Sequence, residues 1–173
     1  MGEASEVGVI AVVEDLEVLF RAHYARLVRA LAVVSGSQET AADAVQEAFV
    51  KAHLHWRRIQ KYDDPAGWIR RVAINRLRDD HRRSGRKERA IERLKTEART
   101  EAVEWSDGTD VTALLAELPK QQRLAMALFY VSHLSIAEVA DALEISEGAV
   151  KFHLHQGRDR LRGVFQAQRE AQS

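Results

Sequence analysis

A chain of 173 residues with 26 Lys plus Arg against 26 Asp plus Glu has no formal net charge, which argues against coating nucleic acid by bulk attraction. It has no cysteine, so disulfides and thiolate metal sites are excluded and a reducing, cytoplasmic setting is expected. No apolar run nears the ~20 residues that span a bilayer, and the acidic start lacks a signal peptide's positive flank, so no membrane insertion is expected.

Strand signals are nearly missing and long stretches are rich in Ala, Leu, Arg and Glu, so the expected fold is all-α, with two small helical domains joined by a flexible linker. Leu16, Phe20, Leu27, Leu31 and Val34 mark a first helix, ended by Ser35 and Gly36. Thr40 with Asp43 opens a second, whose inner face is Val45, Phe49, Ala52 and Trp56. A loop from Arg57 to Asp64 follows. Asp64 as N-cap and Pro65 at the first helical position begin a third helix, in which Ile69, Val72, Ala73 and Leu77 pack inward. Arg70, Arg71, Arg76, Arg78, Arg82 and Arg83 line its other side. These helices make a first domain over residues 14–84.

Residues 85–110 read as a linker: a mixed-charge run gives way to EAVEWSDGTD, with little apolar periodicity. A second domain spans residues 111–168. Leu114, Leu115 and Leu118 close one helix before Pro119, and Leu124, Leu128 and Val131 continue in the next. Ser135 followed by Glu138 is a capping box that starts a short helix with Ile136, Val139, Ala140 and Leu143 on one face. The chain breaks at Glu144 and Ile145, and Ser146 caps a second helix near Glu147. Two helices across one tight turn form a helix-turn-helix. Val150, Leu154 and Leu161 are its buried stripe, leaving Lys151, Phe152, His153, His155, Gln156 and Arg158 to face outward or sideways.

Charge is segregated along the chain. Glu3, Glu6, Glu14, Asp15 and Glu17 precede the first cation, whereas eight Lys and Arg side chains crowd Arg70–Lys87. Such a basic stripe neutralises phosphates locally while acidic segments oppose non-specific binding. His53 and His55, or His153 and His155, are two residues apart on helices and do not converge on a metal, so no metal or other cofactor is expected. No phosphate loop, nucleophile elbow or paired-carboxylate motif supports catalysis, and no enzyme activity is expected.

The segments DAVQEAF (Asp43–Phe49), GWIRRVAINRLRDDHRR (Gly67–Arg83) and the stretch from Glu117 to Arg162 resemble, in order and spacing, the two domains of bacterial extracytoplasmic-function sigma factors. The resemblance implies a protein that joins core RNA polymerase, through its largest and second-largest subunits, and reads promoter DNA with both domains. It implies polymerase contacts at Asp43, Gln46 and Glu47, with Val50 beside them, on the second helix's outward face. It implies −10 element contacts at Trp68, Arg71, Asn75, Arg76, Asp79, Arg82 and Arg83, although a tryptophan at helical spacing such as Trp68 more often serves core packing. The loop from Arg57 to Asp64, with Ile59 and Tyr62, corresponds to the family's capture site for an extruded base. The −35 contacts would be Lys151, Phe152, His153, Gln156 and Arg158. Two departures stand out: Glu144 occupies a turn position usually held by glycine, and Gln156 one commonly held by arginine. An anti-sigma factor is the expected regulator. The alternative is a stand-alone helix-turn-helix regulator, and a helical enzyme or interaction module is a further one.

Overall fold

A computed structural model describes residues 3–91 and 111–173, and every regular element among them is helical. Helix α1 (Glu3–Ser35) stops where Gly36 takes φ 74°, and the Gly36 N–H returns to the Ala32 carbonyl at 2.8 Å. Helix α2 (Gln38–Leu54) begins before the expected Thr40. Ser37 is the cap, its Oγ accepting the Thr40 N–H at 3.2 Å. The expected inner face of Val45, Phe49 and Ala52 is buried. Part of the expected loop is helical: α3 (Trp56–Ile59) makes a single turn that buries Trp56 and Ile59. Ile59 is a core residue with 0% exposure, which removes it from any base-capturing surface.

Helix α4 (Pro65–Ile91) starts as the Asp64–Pro65 pair implies, with Asp64 Oδ1 accepting the Gly67 N–H at 2.9 Å. It continues past the expected domain boundary at residue 84, so the start of the expected linker is helix as far as Ile91. The remainder of that linker, 92–110, lies outside the described residues.

In the second half, α5 (Val111–Ala116) is followed by α6 (Lys120–Met126), which passes directly into one π-helical turn, Ala127–Val131. Then come α7 (Ile136–Leu143) and α8 (Glu147–Ala171). The Ser135–Glu138 capping box is present in both directions, and Ser146 Oγ accepts the Ala149 N–H. Between the two helices Glu144 stands at φ 56° and ψ 43°, the left-handed region where an L side chain crowds its own carbonyl. Gly157 lets α8 approach α6: a Cβ there would stand 2.9 Å from Met126 Cγ.

The two halves touch. α1 packs on α5, α6 and the π turn, and α4 packs on α7. Ser132 Oγ donates to the Arg26 carbonyl at 3.0 Å. Arg123 donates to the carbonyls of Leu115, Ala116 and Leu118, and at 3.4 Å to that of Val34 at the end of α1. Where α4 meets α7 the seam is ionic. Arg70 reaches Asp64 Oδ2 at 3.0 Å and lies 3.9 Å from Glu138 Oε1, while Arg71 reaches Asp141 Oδ2 at 2.6 Å. His23 of α1 borders this seam, in the fields of Arg70, Glu138, Arg26 and Asp64.

Two outcomes are expected. Glu144→Gly relieves the left-handed turn and should raise stability by about 1 kcal/mol in urea unfolding; a loss would show that the turn is unstrained. Burial first, and then Arg70, holds His23 below its ordinary pKa of 6.5. As pH falls through 6.5 the unfolded chain therefore takes up the proton before the folded one, and stability declines until the folded-state pKa is passed. His23→Gln should flatten the fall in urea midpoint between about pH 7 and 5; an unchanged slope would assign it to other groups.

Candidate functional site

Trp68, Arg71, Asn75, Asp79 and Arg82 follow one another at intervals of three and four residues and so share a face of α4. Asn75, Asp79, Arg82 and, one row over, Arg83 are exposed. Trp68 is half-buried and packs against the core. Arg71 is half-buried and occupied by Asp141. Arg76 is gripped by Glu47 and Asp80, and these two hydrogen bonds push its pKa up. Arg70, which the sequence places with the outward arginines, is only 3% exposed and belongs to the seam between the halves. The helix thus presents its polar, nucleic-acid-competent surface from Asn75 onward, and its first turns are engaged inside the molecule.

Beside those first turns lies a recess of about 490 Å³ lined by Lys61, Tyr62, Asp63, Asp64 and Arg71, with Asp141 entering from α7. Tyr62 is exposed and is the loop's available aromatic face, whereas Ile59 is not available. An aromatic ring next to cations in a recess is the equipment for holding an unstacked base. In this arrangement a carboxylate of the second half sits in the recess as well.

On α2, Asp43, Glu47, Val50 and Leu54 recur at intervals of four, three and four, with Gln46 beside them. Asp43 and Gln46 are exposed, and Val50 and Leu54 are bare to 58% and 70%. Gln46 donates to Tyr24 Oη at 3.2 Å. Lys51, and then Arg76, holds the Glu47 carboxyl below its usual pKa. Asp43 is therefore the expected contact that remains uncommitted, and Leu54 extends the row by a residue that sequence reasoning missed. A mixed polar and apolar helical stripe of this kind fits a partner helix.

On α8, Lys151 and Phe152 are exposed, with Phe152 at 58% and its ring edge-on to His153. Arg158 is exposed and receives support from Tyr130 Oη at 3.2 Å. Gln156 and His153 are half-buried, and His153 Nδ1 is fully enclosed, so that nitrogen is closed to an outside partner. Tyr130, Asp141, Gly67 and Gly157 were missed. Tyr130 and Asp141 look like solvated residues in the sequence, and the glycines show their use only when the element opposite them is known.

No described helix is long and apolar enough to cross a membrane, and among the described residues no three His, Asp or Glu side chains gather as a metal would need.

Residues 19–87 match the family model for sigma-70 region 2, and residues 109–161 that for sigma-70 region 4. The chain is 32% identical over 154 residues to the ECF RNA polymerase sigma factor SigE of Mycolicibacterium smegmatis, an alignment covering 83% of this chain and 59% of that protein. It is 32% identical over 145 residues to SigM of Mycobacterium tuberculosis, covering 83% of this chain and 73% of SigM. Among solved structures it is similar to the sigma factor RpoE of Bartonella quintana in complex with the anti-sigma factor NepR. That match has a TM-score of 0.69 at 20% identity, over 88% of this chain and 95% of the other. It is also similar to CnrH in complex with the cytosolic domain of CnrY, with a TM-score of 0.60 at 26% identity over 88% of each chain. With both region models matched in order on one all-helical chain, and the SigM likeness spanning most of either sequence, this protein belongs to the ECF group of the sigma-70 family.

Proposed function

We propose that this chain joins core RNA polymerase and directs promoter-specific initiation, its first half, about residues 14–84, meeting polymerase and the −10 element and its second, 111–168, the −35 element. The observation that carries this reading is the coexistence, in one chain, of two separate presentation surfaces: Asn75, Asp79, Arg82 and Arg83 on α4, and Lys151, Phe152 and Arg158 on the second helix of a helix-turn-helix. Cations hold backbone phosphates, Asn75 reads base edges of an opened strand, and the exposed Tyr62 takes over stacking lost when a base leaves the helix. The reading helix enters a major groove, where Gln156 suits adenine's N6 and N7 better than guanine's O6 and N7. The chain itself breaks and makes no bond.

In the packed arrangement α7 covers the start of α4, and the Asp141 carboxylate stands where a phosphate would meet Arg71. Gripping both promoter elements therefore requires the halves to separate, which polymerase accomplishes by holding each on its own surface. Segment 92–110 would be the tether. RpoE was solved with the anti-sigma factor NepR, and a protein of that anti-sigma kind is the expected restraint on this chain.

Asp43→Lys should abolish the stoichiometric complex with core polymerase in gel filtration, and with it run-off transcription, while circular dichroism stays unchanged. Transcription that persists at full level would remove α2 from the interface. Gln156→Arg should shift base preference in the −35 half-site by about 1–3 kcal/mol, measured on a panel of promoter variants. Uniform strengthening across the panel would show that this position meets only the DNA backbone.

A further inference from the structure

Between the middle of α4 and the start of α6 lies a cleft of about 410 Å³, within the size range of small-molecule sites. Its floor is apolar, from Ile74, Leu77 and Leu124, and its walls carry Arg78 with the His81 imidazole on one side and Lys120 and Arg123 on the other. Asp80 is the single carboxylate among the described lining residues, and Arg76 already holds it. Arg123 is committed to backbone carbonyls, but Arg78, His81 and Lys120 make no ion pair with a described residue. Partial burial first, and then the charges of Arg78, Arg82 and Arg123, holds Lys120 below the ordinary lysine pKa. Hydroxyls of Ser35, Thr40 and Ser84 complete the walls.

We propose that this cleft is a binding site for a phosphate-bearing small anion of the size of a nucleoside triphosphate or an inorganic polyphosphate, held between the two halves. A multiply charged phosphate chain offsets cations that otherwise repel one another, and its oxygens accept hydrogen bonds from guanidinium, ammonium and hydroxyl groups together. A lone carboxylate supplies too little charge for Arg78 and Lys120 together. Duplex DNA is too wide to enter a recess between helices, so its phosphates do not substitute. The site does not depend on the proposed role at promoters, because its residues converge in the isolated chain.

Titration calorimetry of the full chain with sodium tripolyphosphate and with ATP, at ionic strength matched by sodium chloride, is expected to show one saturable site. Arg78→Gln/Lys120→Gln should weaken it by roughly tenfold or more, and Arg21→Gln, on the exposed side of α1, should not. Equal affinity for the two probes assigns recognition to the phosphate chain and tighter ATP binding adds the nucleoside; either supports the site. In the unaltered protein, saturating tripolyphosphate should slow acetylation of Lys120 several-fold relative to Lys51, which lies outside the cleft, read by mass spectrometry. Binding that tracks ionic strength alone, that survives the double variant, or that leaves Lys120 labelling unchanged overturns the proposal.

Discussion

The buried guanidinium of Arg70 is the constraint on which the arrangement of the two halves depends. A cation removed from water costs several kcal/mol unless carboxylates meet it, and here Asp64 and Glu138 do so from opposite halves. Each of those carboxylates has a second duty. Asp64 Oδ1 caps α4 at the Gly67 N–H, and Glu138 Oε2 accepts the Ser135 N–H to close the capping box of α7. The starts of two helices are thereby tied to one charge. Gly67 makes the crossing possible, since a Cβ there would collide with the Asp64 carboxylate and lie 3.0 Å from Asp141 Oδ2.

That seam governs which cations remain for other work. A chain with no net charge still has an arginine-dense helix, but Arg70, Arg71 and Arg76 are all engaged by carboxylates. The engaged residues cluster at the start and middle of α4, while Asn75, Asp79, Arg82 and Arg83 keep their exposure. On the proposed reading, promoter DNA exchanges the Asp141 carboxylate for a phosphate at Arg71. Such an exchange of one anion for another in a half-exposed site is close to balanced, which suits a contact that must be reversible.

The second half achieves its shape through backbone irregularities that position side chains. The π turn at Ala127–Val131 inserts a residue into the helical register, and around it Tyr130 reaches out to Arg158 of the reading helix while Ser132 turns back to α1. Glu144 accepts a left-handed conformation so that α8 leaves α7 at the angle a helix-turn-helix requires.

Local signals in the amino-acid sequence determined the all-helical character, the Asp64–Pro65 start, the capping box of α7, the Ser146 cap, the buried stripe of α2 and the buried Val150 and Leu154 of α8. Each depends on residues within a turn or two of one another, where spacing and capping chemistry act without help. Family resemblance added the two-surface plan. Ser37, not the expected Thr40, begins α2 through a cap made within one turn, and contacts between distant residues were left to the tertiary structure. It alone turned Arg70 inward, gave Arg71 to Asp141 and Arg76 to Glu47, and buried Ile59. The physical reason is that helical periodicity ranks faces by hydropathy, whereas an arginine's destination depends on which carboxylate, from however far along the chain, folding brings within 4 Å of it.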